Sequence, residues 1–174
     1  VNLTIMGLII LGGIGFIVQY EIISLWRGFQ KKLSVHSNIV LITTACLILS
    51  GAAFFYMFEV NHILKEASIK TQILTSFFQS VTPRTAGFST VDISHLTNPT
   101  ILVLMMLMFI GASPGSTGGG IKTTSFALLL LMIWNRLRGQ EQVNVFNRTI
   151  PGEILTRTIA IIFASAFSVT LITS

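Results

Sequence analysis

Backbone carbonyls, two cations and one serine are the groups in this chain whose placement could do chemistry. The carbonyls lie in Thr82-Pro83-Arg84-Thr85-Ala86-Gly87-Phe88-Ser89-Thr90. Pro83 biases Thr82 away from helical angles, and Gly87 permits angles that a Cβ resists. Just before them, Gln72 to Val81 is helix-compatible but only about three turns long, too short to cross about 30 Å of hydrocarbon. A short helix followed by a tight glycine-containing segment reads as a re-entrant loop. Such backbone is tolerated at membrane depth only when buried in protein or lining a watery cavity. A row of carbonyls there could replace the hydration shell of a cation, with the negative end of the short helix pointing towards it. A plain outer turn between two helices fits the same local pattern, and the residues alone leave the two readings level.

A second stretch is Gly111-Ala112-Ser113-Pro114-Gly115-Ser116-Thr117-Gly118-Gly119-Gly120. It interrupts an apolar run from Thr100 to Trp134 that would measure about 50 Å as one helix, too long for a bilayer without a break. So dense a set of glycines, with Pro114, cannot form a stable helix. Gly111-Ala-Ser113-Pro-Gly115 matches the serine-hydrolase elbow Gly-x-Ser-x-Gly. The oxyanion hole, however, uses the backbone N–H of the residue after the nucleophile, and Pro114 has none. His36, His62 and His95 fall on expected membrane edges, so an intramembrane serine hydrolase using Ser113 is the alternative of another class. Gly115 to Thr123 nearly matches a phosphate-binding loop. Ile121 breaks the required Gly-Lys-Ser/Thr, and no strand precedes it.

Lys122 is the one cation inside that apolar run. A charge there costs a few kcal/mol or more unless it faces a cavity or a partner. Snorkelling to the cytoplasmic edge competes with that reading, but about 12 residues separate Lys122 from Trp134. Arg84 also needs a partner. Asp92 is the nearest carboxylate in sequence, and a distant one is equally compatible. Gln79 and Asp92 stay open between loop supports and solvated loop ends.

The elements that must position these groups are membrane helices. The chain has 174 residues, 52% hydrophobic and 10% charged, and its mean hydropathy is +0.80. A soluble domain carries roughly a quarter charged residues. The formal net charge of +5 is scattered between apolar runs, which suits positive-inside topology and excludes a nucleic-acid-binding stripe. Cys46 is the only cysteine, so neither an internal disulfide nor a cysteine-based metal site is available. No signal peptide is evident. A start at Val1 and a stop within an apolar stretch are expected of a fragment.

Leu3 to Val18 is apolar, and Gly7, Gly12, Gly13 and Gly15 read as helix-packing positions. Trp26, Arg27, Lys31 and Lys32 mark a cytoplasmic edge. Asn38 to Phe58 is long enough for one crossing. Glu59 and Glu66 balance Lys65 and Lys70, as suits the outer side. His95, Asn98 and Pro99 approach the next helix, with Pro99 near its first turn. Trp134, Arg136 and Arg138 mark the cytoplasmic edge again. Arg148 and Arg157 face Glu141 and Glu153 in a polar stretch, and Ile159 to Ile172 begins another crossing.

Ser80-Val-Thr-Pro-Arg-Thr-Ala-Gly-Phe-Ser89 resembles the third pore loop of the Trk/Ktr/HKT superfamily of potassium transporters. Together with Gly111-Ala-Ser-Pro-Gly-Ser-Thr-Gly-Gly-Gly-Ile-Lys-Thr123 it looks most like the KtrB-type membrane subunits, along nearly the whole chain. The resemblance implies an all-α membrane protein built from four helix–pore loop–helix repeats, of which this chain holds an incomplete set. Residues 1–35 would end the second repeat, residues 36–139 form the third with a broken second helix, and residues 140–174 begin the fourth. It further implies K⁺ conduction without hydrolysis, in a bacterial plasma membrane. The carbonyls of Thr85, Ala86, Gly87 and Phe88 would form one wall of a K⁺ filter supported by Arg84. Gly111, Ala112, Ser113, Pro114, Gly115, Ser116, Thr117, Gly118, Gly119 and Gly120 would form a gate loop with Lys122 as its associated charge. The implied partners are the lipid bilayer, a second copy in a homodimer and a cytosolic nucleotide-binding ring subunit. No cofactor is expected in this chain, and K⁺ is the transported ion. A non-conducting membrane scaffold predicts no ion flux and indifference to change at Gly87.

Overall fold

Each apolar run in the sequence becomes a helix or a broken pair of helices, and polar, proline or glycine segments end them. The computed structural model describes residues 1–84, 86–140, 144–145 and 148–173. Among these, the helices are α1 (Asn2–Ile14), α2 (Phe16–Trp26), α3 (Val35–Glu59), α4 (Ile69–Val81), α5 (Asn98–Phe109), α6 (Thr123–Leu137) and α7 (Gly152–Thr173). A single 3₁₀ turn covers Ile93–His95, and strands Asn144–Val145 and Arg148–Thr149 pair as a small antiparallel hairpin. The architecture is helical, as the composition requires. α3 is long and apolar enough to cross a membrane, as is α7 over Gly152–Ile172. α5 and α6 are short apolar helices on either side of the glycine-rich break.

Capping follows the sequence. Ser34 caps α3, its hydroxyl accepting from Ser37 N at 3.2 Å. Ser68 caps α4 in the same way through Thr71 N. Pro99 sits in the first turn of α5, where its missing N–H would have had no helical partner. α7 starts earlier than expected, at Gly152. Its first turns include Glu153 and Arg157, whose side chains pair at 2.7 Å one turn apart. Glu141 lies outside the described residues, and the Arg148 side chain is likewise not described.

Two expectations are corrected. The first apolar run is not one helix: α1 and α2 meet at Gly15 with a bend of 102°. Gly15 has φ 90 and ψ 143, a combination that side-chain-bearing residues avoid. The nearby glycines do not line a continuous helix–helix contact either, since a Cβ on Gly7 would meet nothing within 4 Å. The second correction concerns Glu59, which belongs to no solvated charge balance. It is fully buried at the end of α3. Its Oε1 accepts hydrogen bonds from Thr97 N at 2.9 Å, Thr97 Oγ1 at 2.8 Å and Thr100 Oγ1 at 2.6 Å. His62 Nδ1 stands 3.5 Å from the other oxygen. One carboxylate thus closes the N-terminus of α5 against the C-terminus of α3, and the positive end of α5 favours the negative group placed there.

Packing centres on α3, which lies most extensively against α4 and then against α5 and α6. Met6, Phe78 and Val81 join α1 to α4. Phe55, Leu64 and Leu96 cover the end where Glu59 sits. Gly51 lets α4 approach α3 closely: an added Cβ would come within 2.8 Å of Leu107 Cδ1 and would overlap Ser80 Oγ. Ser80 Oγ itself donates to the Ile48 carbonyl at 2.8 Å. Replacing Glu59 by Ala should lower the thermal stability of the parent protein in detergent by about 1–3 kcal/mol, since it strands the Thr97 and Thr100 donors. An unchanged melting temperature would show that the α3–α5 junction does not depend on this carboxylate.

Candidate functional site

The turn after Val81 is built from α4. Its 13 residues end at Val81, and the chain turns through Thr82, Pro83 and Arg84 with Arg84 N and Ala86 N donating to the carbonyls of Val81 and Thr82. Gly87 then reverses direction at φ 72. A Cβ there would touch nothing within 4 Å, so this position demands glycine for its backbone angle and not for space. The returning limb is held from α4. Thr82 Oγ1 donates to the Phe88 carbonyl, and Gln79 Nε2 donates to Ser89 Oγ at 3.0 Å. Ser89 Oγ donates in turn to Val91 O at 2.5 Å.

Of the residues expected to offer carbonyls, Ala86, Gly87 and Phe88 are at the half-exposed to exposed tip, and Thr85 lies outside the described residues. The Phe88 carbonyl already accepts from Thr82, which leaves one lone pair for another donor or ion. A cavity of about 350 Å³ separates Gln79, Thr82, Ala86 and Gly87 from Leu104 and Met108 of α5. Arg84 reaches α3. It is buried, and its Nη2 donates to the Thr44 carbonyl in the middle of α3 at 3.1 Å. Asp92 stays exposed and accepts from Ser94 N at 3.0 Å and Ser94 Oγ at 2.7 Å. Those two bonds hold its carboxyl below the usual carboxylate range. The structure therefore separates two residues the sequence left level: Gln79 is a buried loop support, and Asp92 caps an exposed turn.

The glycine-rich break is a closed knot, not an open strand. Its neck is drawn together by Ile121 N donating to Phe109 O at 3.0 Å, Ala112 N to Gly119 O at 3.1 Å and Thr123 N to Ala112 O at 3.3 Å. Gly111 and Gly120 meet at this neck, where a Cβ on Gly120 would stand 2.8 Å from Gly111 Cα. Lys122 Nζ folds back onto the Gly118 carbonyl at 2.8 Å, and Ser116 Oγ donates to Ser113 O at 2.5 Å. The loop is also tied to the α1–α2 bend. Ser113 N donates to Gly13 O at 2.9 Å, and Phe16 N donates to Gly115 O at 3.1 Å. Pro114 and Gly115 carbonyls occupy the space a side chain at Gly15 would need.

Ser113 is fully buried, and its Oγ shares a 2.8 Å hydrogen bond with Thr123 Oγ1. It has neither the exposure nor the basic neighbour a nucleophile requires. Thr117 lies 3.6 Å from where a Cβ on Gly12 would stand. Sequence reasoning missed Gly13, Gly15 and Phe16 as parts of this site. The signal was present in Gly12-Gly13-Ile14-Gly15, whose spacing suits a break as well as a packing face. No sequence signal pairs Arg84 with Thr44, because the acceptor is a backbone carbonyl that any residue supplies.

A family model described as TrkH, cation transport protein, matches residues 1–174. The chain is 40% identical over 167 residues to the Ktr system potassium uptake protein B of Vibrio alginolyticus, covering 95% of this chain and 37% of that protein. It is 35% identical over 164 residues to the potassium/sodium uptake protein NtpJ of Enterococcus hirae, covering 94% of this chain and 36% of that one. The crystal structure of the potassium transporter TrkH from Vibrio parahaemolyticus superimposes with a TM-score of 0.74 at 19% identity, over 99% of this chain and 37% of that chain. That likeness is one of fold. The chain thus spans little more than a third of the length of these proteins.

The seat between the bend and the knot is testable with glycines alone. Gly15→Ala should destabilise the parent protein by about 1–3 kcal/mol, because φ 90 with ψ 143 is disfavoured for a residue with a Cβ and the Pro114 carbonyl blocks it. Gly7→Ala, in open space within α1, should be neutral or slightly stabilising. Thermal unfolding in detergent that ranks the two variants equally would contradict the seat.

Proposed function

The chain belongs to the TrkH family of cation transport proteins, and on that premise we propose that it is part of the pore-forming subunit of a bacterial K⁺ uptake system. The observation that carries this reading is the α4 turn at Gly87: a short helix ends in a reversal whose exposed tip is backbone held from behind by Thr82 and Gln79. The carbonyls of Thr85, Ala86, Gly87 and Phe88 form one wall of the filter, and the C-terminal end of α4 adds partial negative charge towards a cation. Arg84 supports the filter from outside the ion path, by tying the base of the turn to α3. The remaining walls come from the rest of the longer protein. Residues 1–35 close one repeat, residues 36–139 form the next, and residues 140–174 open another. The parent lies in the plasma membrane as a homodimer and performs no hydrolysis.

The knot from Gly111 to Gly120 is the gate. It is closed by hydrogen bonds of its backbone, its hydroxyls and Lys122, and such contacts can be exchanged for others with water when the loop moves. Lys122 holds the tip of the loop and keeps a positive charge beside the cation path. A cytosolic nucleotide-binding ring subunit opens the gate, and the nucleotide binds to that subunit.

Gly87→Ser should raise the K⁺ concentration for half-maximal uptake and narrow K⁺/Na⁺ discrimination in cells expressing the full protein, with its amount in the membrane unchanged. Unaltered half-saturation and discrimination would remove the filter assignment and favour the scaffold reading. Lys122→Met should raise K⁺ flux in the absence of the regulatory subunit. A hydrogen bond from a charged donor contributes about 1.5–3 kcal/mol, so losing it should raise the open population by about tenfold or more. Flux that stays fully dependent on that subunit would place the gate elsewhere.

A further inference from the structure

We infer that Gln79 and Ser89 form a positioning brace that sets the ion preference of the α4 turn, an inference that rests on the filter reading above. α4 carries two buried glutamines seven residues apart, hence on one face of the helix. Gln72 Nε2 donates to the carbonyls of Leu64 at 2.9 Å and Ala67 at 3.0 Å, locking the segment that enters the helix. Gln79, only 1% exposed, reaches the other way and donates to Ser89 Oγ on the limb that leaves the turn. One helical turn further on, Thr82 Oγ1 donates to the Phe88 carbonyl. Two adjacent residues of the returning limb are therefore fixed by one side chain of α4 and one of its C-cap residue.

The chemistry of the Ser89 node is complete. Its hydroxyl accepts from Gln79 Nε2 and from Val91 N at 3.4 Å, and gives its single proton to the Val91 carbonyl. A side-chain amide can supply the donor Ser89 lacks, and it does so without placing a charge beside a cation path. Two points of attachment fix the orientation of the peptide between Phe88 and Ser89. With Thr82 alone, that peptide could pivot about the Phe88 carbonyl, and the neighbouring Gly87 and Ala86 carbonyls would move with it. A turn free to pivot can adjust its carbonyls to ions of different radius, whereas a braced one favours the radius it is built for. Gln79 acts through Ser89 and touches no ion.

The test uses the full-length transporter in cells depleted of K⁺, with Gln79→Leu, Ser89→Ala and the double variant compared by K⁺ and Na⁺ uptake. The brace predicts that each single variant shifts half-saturation and lowers K⁺/Na⁺ discrimination several-fold in the same direction. The double variant should shift no further than the larger single one. A loss of maximal rate only, in proportion to the protein present in the membrane, would overturn the brace, as would independent, additive effects. If Gln79→Leu does not reach the membrane, Ser89→Ala, at an exposed position, decides alone by the same criterion. Gly87→Ser is run beside them. A shift there without one in Ser89→Ala overturns the brace and leaves the filter standing, and no shift there overturns both.

Discussion

Backbone polar groups that leave a helix inside a bilayer must find partners within the protein, because hydrocarbon offers none. This chain leaves helical geometry three times within its apolar segments, at Gly15, after Val81 and after Phe109. The first and third breaks satisfy each other. Gly13 and Gly115 offer carbonyls, Ser113 and Phe16 offer N–H groups, and the two exchanges cross between a bend and a loop about 100 residues apart in sequence. Other groups of the loop close on its own neck, on Ser116 and on Lys122. The glycines are there because carbonyl and amide must come closer than side chains would allow.

The second break is solved differently, by side chains of the helix that precedes it. Gln79 and Thr82 hold the returning limb, while Ser80 and Arg84 hold the helix end and the turn to carbonyls of α3 at Ile48 and Thr44. That arrangement leaves the tip of the turn uncovered and its backbone available. α3 therefore serves as the post to which the loop is fastened. At its far end Glu59 fastens α5 to the same post through Thr97 and Thr100. Burying these side chains is tolerable because each makes at least one hydrogen bond, often with a backbone group that would otherwise be stranded.

These two solutions suit different tasks. A loop held by side chains of the preceding helix and its cap keeps one arrangement, which is what the proposed filter needs. A knot closed by its own backbone, its hydroxyls and Lys122, and seated on a bend, has neighbours that can change together, which is what the proposed gate needs. Its bond from Phe16 N joins it to the first residue of α2, the helix that ends at Trp26.

Hydropathy and glycine placement determined much from the sequence alone. The apolar run long enough to cross a bilayer became α3, the run read as the start of another crossing became part of α7, the short helix before Pro83 became α4, and Gly111 to Gly120 split α5 from α6. These are local consequences of helix length and propensity, so a single chain displays them. The α1–α2 bend was half legible: its glycines were visible, but glycine permits close packing and sharp turning alike, and only the carbonyls of Pro114 and Gly115 at that place decide for turning. Glu59 looked like an outer charge because burial is not written in residue type, and Thr97 and Thr100 converge on it only once α5 folds beside α3. Arg84 was expected to seek a carboxylate, whereas the bond observed here goes to a main-chain oxygen that no pattern of side chains could announce. Gln79 and Asp92 are equally polar and equally near the turn. Which of them supports it depends on where packing puts each. Gln79 is buried on α4 within reach of Ser89, whereas Asp92 caps the exposed Ile93–His95 turn. Burial of this kind is a property of the packed chain and not of residue type.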